Sequence, residues 1–190
     1  IHQSPPPTWV AMPDGGQRPL ACHYVVMDDR HYGFSVDDHA AESHVVIDPT
    51  LQFGTFLGGS GSDACSGVSV DDSGAAYICG HAGSIDFPVT PGAFDTTSAS
   101  LDAFVAKLSA GGESLLYGTY LGGNNSSDSA TRIDVAPGGE VVVSGGTSAT
   151  DFPTTPGALD STLDGETDCF IARLSADGSS LVYSTLVGGN

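Results

Sequence analysis

Apolar and polar positions alternate over short stretches of this chain, as in Val68-Ser69-Val70 and along Phe104-Val105-Ala106-Lys107-Leu108. That period of two belongs to a half-buried strand. Four strands are predicted in succession, at Ala64–Val70, Ala75–Gly80, Asp102–Leu108 and Leu115–Leu121. Turn chemistry separates them: Asp71-Asp72-Ser73-Gly74 after the first, Ala110-Gly111-Gly112-Glu113 after the third. The series then repeats. Asp86–Asp95 returns as Asp151–Asp160, 65 positions on, with eight of ten residues identical. Ser109–Gly123 matches Ser175–Gly189 at nine of fifteen positions, and a Leu-Gly-Gly or Val-Gly-Gly signature stands at Leu57, Leu121 and Val187. The period is 64–66 residues. Four antiparallel strands per unit, repeated, predict an all-β chain of two propeller-blade-like sheets behind an N-terminal β region.

These motifs resemble the SBBP repeats, a bacterial β-propeller repeat family. A Tyr-x-Thr-x-Leu-Gly-Gly strand, an Asp-x-x-Gly turn, the Asp-Phe-Pro-x-Thr-Pro-Gly-Ala block and an Asp-Ala-Phe-Val-Ala-Lys-Leu strand carry the resemblance over Leu51–Asn190. Tyr24–Pro49 resembles the β-rich region that commonly precedes such repeats. The resemblance implies a propeller-type fold and an exported protein, and no defined biochemical role. The expected organisation is an extended Pro-rich arm over 1–19, a β region over 20–50, a first repeat unit with its leading strand over 51–123 and a second unit over 124–190.

Composition narrows the functional classes. The 190 residues include 23 acidic and 5 basic ones, a formal charge of −18. The basic residues are scattered, so no stripe exists to neutralise phosphates, and nucleic acid and anionic lipid are unsuitable partners. Hydrophobic residues at 39% argue against disorder, and 26 Gly with 11 Pro leave little room for long helices. No apolar run approaches the roughly 20 residues of a membrane helix, so membrane insertion is not expected. The chain opens on Ile1 and reads as processed or partial. Its acidity, scarcity of lysine and two expected disulfides suit a secreted, extracellular or cell-surface location.

Cys65 aligns with Ala130, Cys79 with Ser144 and Cys169 with Ala103, so the cysteines are additions to the repeat. Cys65 and Cys79 share strand parity across one hairpin and are expected to pair, which leaves Cys22 for Cys169; the other two pairings stay open. Asp63, Asp128 and the turn acids Asp71 and Asp72 are the candidate calcium ligands, although no Asp-x-Asp-x-Asp-Gly loop is present. Calcium apart, no cofactor is expected. His31, His39 and His44 lie near Asp37-Asp38, but a predicted turn separates the last two histidines. Asp86/Asp151 and Asp102/Asp168 recur with the repeat, which favours a structural task such as bonding loop amides. No catalytic motif is present, and the protein is expected not to be an enzyme. Asn124 and Asn125 head overlapping glycosylation sequons.

A propeller ring needs about four to eight blades, which two units cannot supply. The expected function is that of a structural subunit of a surface fibre or layer, joined to other copies through exposed β edges and the N-terminal arm. The alternative is a carbohydrate- or protein-binding adhesion module cut from a longer repeat protein. Trp9, Tyr77 and Phe87 would then be the residues to stack on a glycan, although Phe87 and Phe152 read better as loop anchors.

Overall fold

The computed structural model describes residues 8–12, 14–26, 32–36, 45–47, 53–98, 100–124 and 127–189, and among these residues there are strands and turns but no helix. The protein is all-β. Its chain divides into two compact units, residues 1–52 and 53–190.

In the first unit, β1 (Thr8–Ala11) pairs antiparallel with β2 (Gln17–Pro19) on one side and with β5 (Val45–Ile47) on the other. A separate hairpin joins β3 (Cys22–Val26) to β4 (Tyr32–Val36). The expected extended arm therefore gives way to pairing: Trp9 stands between Pro19 and Val46 in the ladder. Proline closes the edge strand β2, where a missing donor costs no ladder bond. Residues 1–7 of the arm, and His31, His39 and His44, lie outside the described residues.

The second unit holds two antiparallel sheets whose strands follow chain order. The first blade is β6 (Asp63–Val70), β7 (Ala76–Ala82), β8 (Asp102–Leu108) and β9 (Leu115–Leu121). The second is β10 (Asp128–Val135), β11 (Val141–Thr147), β12 (Asp168–Leu174) and β13 (Leu181–Val187). Each predicted repeat strand is present within a few residues of its expected bounds.

The same local devices build both blades. A β-bulge interrupts the first hairpin of each, between Cys65 and Gly67 and between Ala130 and Arg132. The Asp-Phe-Pro loop then runs back along the outer edge of the last strand. Thr90 donates its N–H to the Gly118 carbonyl and accepts from the Gly118 N–H through Oγ1; Thr155 and Ser184 repeat this pair of bonds. Thr119 Oγ1 accepts the Asp95 N–H at 2.9 Å, and Thr185 Oγ1 does the same for Asp160 at 3.0 Å. With its outer edge occupied by a loop, each blade lacks a free ladder there for another chain to join. The outer edges of β9 and β13 are thus not among the exposed β edges expected from the sequence.

Phe87 and Phe152 anchor their loops inward, with ring centroids 4.5 Å from Phe104 and 4.6 Å from Phe170. The main core lies between the blades. There Tyr77, Cys79 and Val105 of the first blade meet Ile133, Val143 and Phe170 of the second. Burial of such side chains is worth about 1.5–3 kcal/mol each and welds the two sheets face to face. A smaller cluster, built on Phe87, Phe104 and Tyr120, lies on the opposite face of the first blade.

Candidate functional site

The candidate calcium carboxylates are spread over separate places, and Asp63, Asp71 and Asp128 are met by hydrogen-bond donors. Asp63 accepts the Gly59 N–H at 2.7 Å, the Ser84 hydroxyl at 2.7 Å and the Ser84 N–H at 3.1 Å. Burial raises its pKa, but those bonds outweigh burial and hold the carboxyl below its usual value. Asp128 is buried and accepts the Gly123 N–H at 2.9 Å. N–H and O–H dipoles aimed at a carboxylate take the place a cation would fill, so these acids act as latches on the Leu-Gly-Gly turns. Among the described residues no group of three or more His, Cys, Asp or Glu is placed to share a metal ion.

Asp86 and Asp151 latch the same turns. Asp86 takes the Ser60 N–H and hydroxyl at 2.8 and 2.9 Å; Asp151 takes the Asn124 N–H at 2.9 Å and side-chain amide at 2.7 Å. Both carboxyls are held below the usual range by these bonds, led by the Ser60 amide in one and the Asn124 side chain in the other. The amides they bond belong to the turn before the blade rather than to their own loop. Asn124 is exposed, yet the nitrogen a glycan would occupy is the one donated to Asp151. Asn125 lies outside the described residues.

Asp71 and Asp72 sit in the β6–β7 turn, which Gly74 closes with a φ of +86°. Asp71 accepts from the Ser73 N–H and hydroxyl, the Ala75 N–H and the Tyr77 hydroxyl, and pairs with Lys107 at 3.4 Å. Lys107 in turn lies 4.5 Å above the Tyr77 ring. Together they floor a cleft of about 390 Å³ that also touches Pro137 and Gly139 of the second blade. Burial raises the Asp71 pKa, but the Ser73, Ala75 and Tyr77 bonds prevail and hold it at about 2. A folded value below the unfolded one, about 3.9, stabilises the protein above pH 4. That contribution should be lost as pH falls from 4 through 2. Asp71→Asn should cost about 1–2 kcal/mol at pH 7 and flatten this part of the urea-midpoint-versus-pH curve. An unchanged slope would show that Asp71 is not the titrating group.

No disulfide joins Cys22, Cys65, Cys79 and Cys169 in the structure. The parity that predicts a Cys65–Cys79 bond does not survive the bulge: Cys65 stands opposite Gly80, while Cys79 stands opposite Gly67. Cys65 and Cys169 are exposed and Cys79 is fully buried, with burial and then the neighbouring Cys65 pushing its thiol up to about 12. Cys22 belongs to the first unit and Cys169 to the second.

Of the aromatic residues proposed to stack on a glycan, Tyr77 and Phe87 are core residues, and Trp9 is half-buried on β1. The structure places exposed apolar residues elsewhere, on the two sheet faces that no blade covers. Val68 and Val70 lie on one, at 64% and 54% exposure. Ile171, Tyr183 and Val187 lie on the other, at 36%, 38% and 44%. In β12 the run Cys169-Phe170-Ile171-Ala172 carried the signal, since it is apolar on both faces, as in a strand buried on both sides.

No family model matches the chain, and no curated protein matches it.

Proposed function

We propose that this chain is a non-catalytic structural protein of the extracellular space or cell surface, and that it works by assembling with copies of itself into a fibre or layer. One observation carries the reading: each blade has one face packed on the other blade and exposed apolar residues on its other face. Exposed apolar side chains on both of these faces are suited to being covered by a further surface. A contact between two unlike surfaces propagates rather than closes. The blade faces are better suited than the outer edges, because the Thr90 and Thr155 loops already occupy those edges. The exported location is supported by the acidic, lysine-poor composition and by the resemblance to the SBBP repeats.

Static light scattering of the purified chain under reducing conditions tests the reading. The weight-average mass should rise with concentration, and electron microscopy of the concentrated sample should show fibres or sheets. A constant monomer mass over the whole range, with calcium and without it, would overturn the proposal.

A further inference from the structure

The contact inside the molecule is a template for a contact outside it. Ala103, Val105, Tyr117 and Leu121 of the first blade are buried, none above 3% exposure, because the second blade lies on them. Their equivalents 66 positions on are Cys169, Ile171, Tyr183 and Val187, all exposed. The converse holds on the other side. Ala130, Ile133 and Val143 of the second blade are buried against the first, whereas their equivalents Cys65 and Val68 are exposed and Ile78 is half-buried. The ladder registers confirm the equivalence, since Cys65 faces Gly80 as Ala130 faces Gly145, and Cys169 faces Val187 as Ala103 faces Leu121. The two open faces are therefore the two halves of the one interface that the molecule already makes.

The two exposed cysteines fall on those halves, one on each. In the internal contact Leu101 and Ser127 form a parallel bridge, and the Asp128 N–H donates to the Leu101 carbonyl at 2.8 Å. From that bridge β8 and β10 run side by side, and Ala103 and Ala130 enter the same cluster, both wholly buried. Replace that pair by its exposed equivalents and the residues are Cys169 and Cys65.

We propose that the second blade of one copy docks on the open face of the first blade of the next, head to tail, and that Cys169 and Cys65 form a disulfide across this contact. The proposal rests on the assembly reading above and gives it a surface and a staple. Residues 53–57 lie where β13 of the incoming copy must sit. Phe53 packs over Gly112 as Tyr117 packs over Gly178, and Leu57 covers the Phe104 cluster as Leu121 enters the core between the blades. This segment has no strand partner, and Phe56 is wholly exposed, so it yields its place to a paired strand.

Bond formation needs an oxidant, and a small-molecule disulfide supplies it. One cysteine thiolate attacks the small disulfide and expels one thiolate; the second cysteine attacks the resulting mixed disulfide and expels the other. Two protein thiols are oxidised to one disulfide, one small disulfide is reduced to two thiols, and the two protons end on those thiols.

The test uses the full chain with Cys22→Ser as background, incubated with oxidised glutathione and run on non-reducing gels. A covalent ladder of dimers, trimers and longer species is expected, with a Cys65–Cys169 peptide in the digest. Adding Cys65→Ser or Cys169→Ser should each abolish the ladder. Mixing those two variants should restore one product, a dimer and nothing longer, because only one complementary pair of thiols remains. A ladder that survives either substitution, or a digest linking other cysteines, overturns the proposal while assembly measured under reduction still stands. Ile171→Asp should suppress the ladder without changing the urea midpoint. Failure to assemble at all under reduction sinks the assembly reading, and this contact with it.

Discussion

Gly145→Ala should destabilise the protein by about 3 kcal/mol, the upper part of the range for forcing atoms into a filled space. Gly145 sits opposite the bulge at Ala130. A methyl group there would run into the Ser129 carbonyl oxygen, and would also lie 2.8 Å from the Ala130 Cα and 2.9 Å from the Phe170 ring. Two of those three neighbours are backbone atoms held by the bulge, so the strain has no flexible side chain to absorb it. Gly80→Ala should behave alike in the first blade, because its methyl would meet the Ala64 carbonyl and lie 3.0 Å from the Cys65 Cα. The control is the next residue. Gly146→Ala meets nothing closer than the Asp168 carbonyl at 3.9 Å, an ordinary contact, and should shift the urea midpoint little. Equal losses at Gly145 and Gly146 would mean that strand entropy, not the bulge, decides the effect.

That bulge also marks the limit of what could be read from the chain. Strand periodicity and the repeat revealed the eight blade strands and the loop anchors Phe87 and Phe152, because period and turn residues are local properties. Parity counts residues, and a bulge adds one without any sequence sign stronger than a glycine across the ladder. Cys65 and Cys79 were therefore expected to be neighbours on one face, whereas one is exposed and the other lies in the core. The carboxylate latches show a second limit. That Asp86 bonds backbone amides follows from its residue type, but the amide it chooses, Ser60, is 26 positions away and is fixed by the packing of the turn. The β1–β2 hairpin was hidden for a third reason. Prolines in that stretch suggest an extended arm, and only the partner β5 turns an extended segment into a sheet.

Phe170→Ala should cost about 3–5 kcal/mol, the usual range for emptying a fully buried aromatic site. Its ring stacks on Phe152 and is wholly inside the cluster shared by the blades. Because that cluster draws on both sheets, the loss should fall on both. A single urea transition should move to lower denaturant, and amide protection in β7 and β8 should decline together with that in β11 and β12. The equivalent residue in the first blade gives the comparison. Phe104 packs on Phe87 at a similar distance, with the rings tilted, but it borders an open groove of about 540 Å³ lined by Val68, Val70 and Ile78. Truncation there widens a space that water already reaches, so Phe104→Ala should cost less than Phe170→Ala. If a second copy fills that groove, Phe104 becomes a core residue, and Phe104→Ala should then weaken the assembled protein by nearly as much as Phe170→Ala weakens the monomer. Urea midpoints of monomer and assembly for the two variants, measured side by side, decide the matter: a Phe104→Ala cost that does not grow on assembly would mean that this groove stays open.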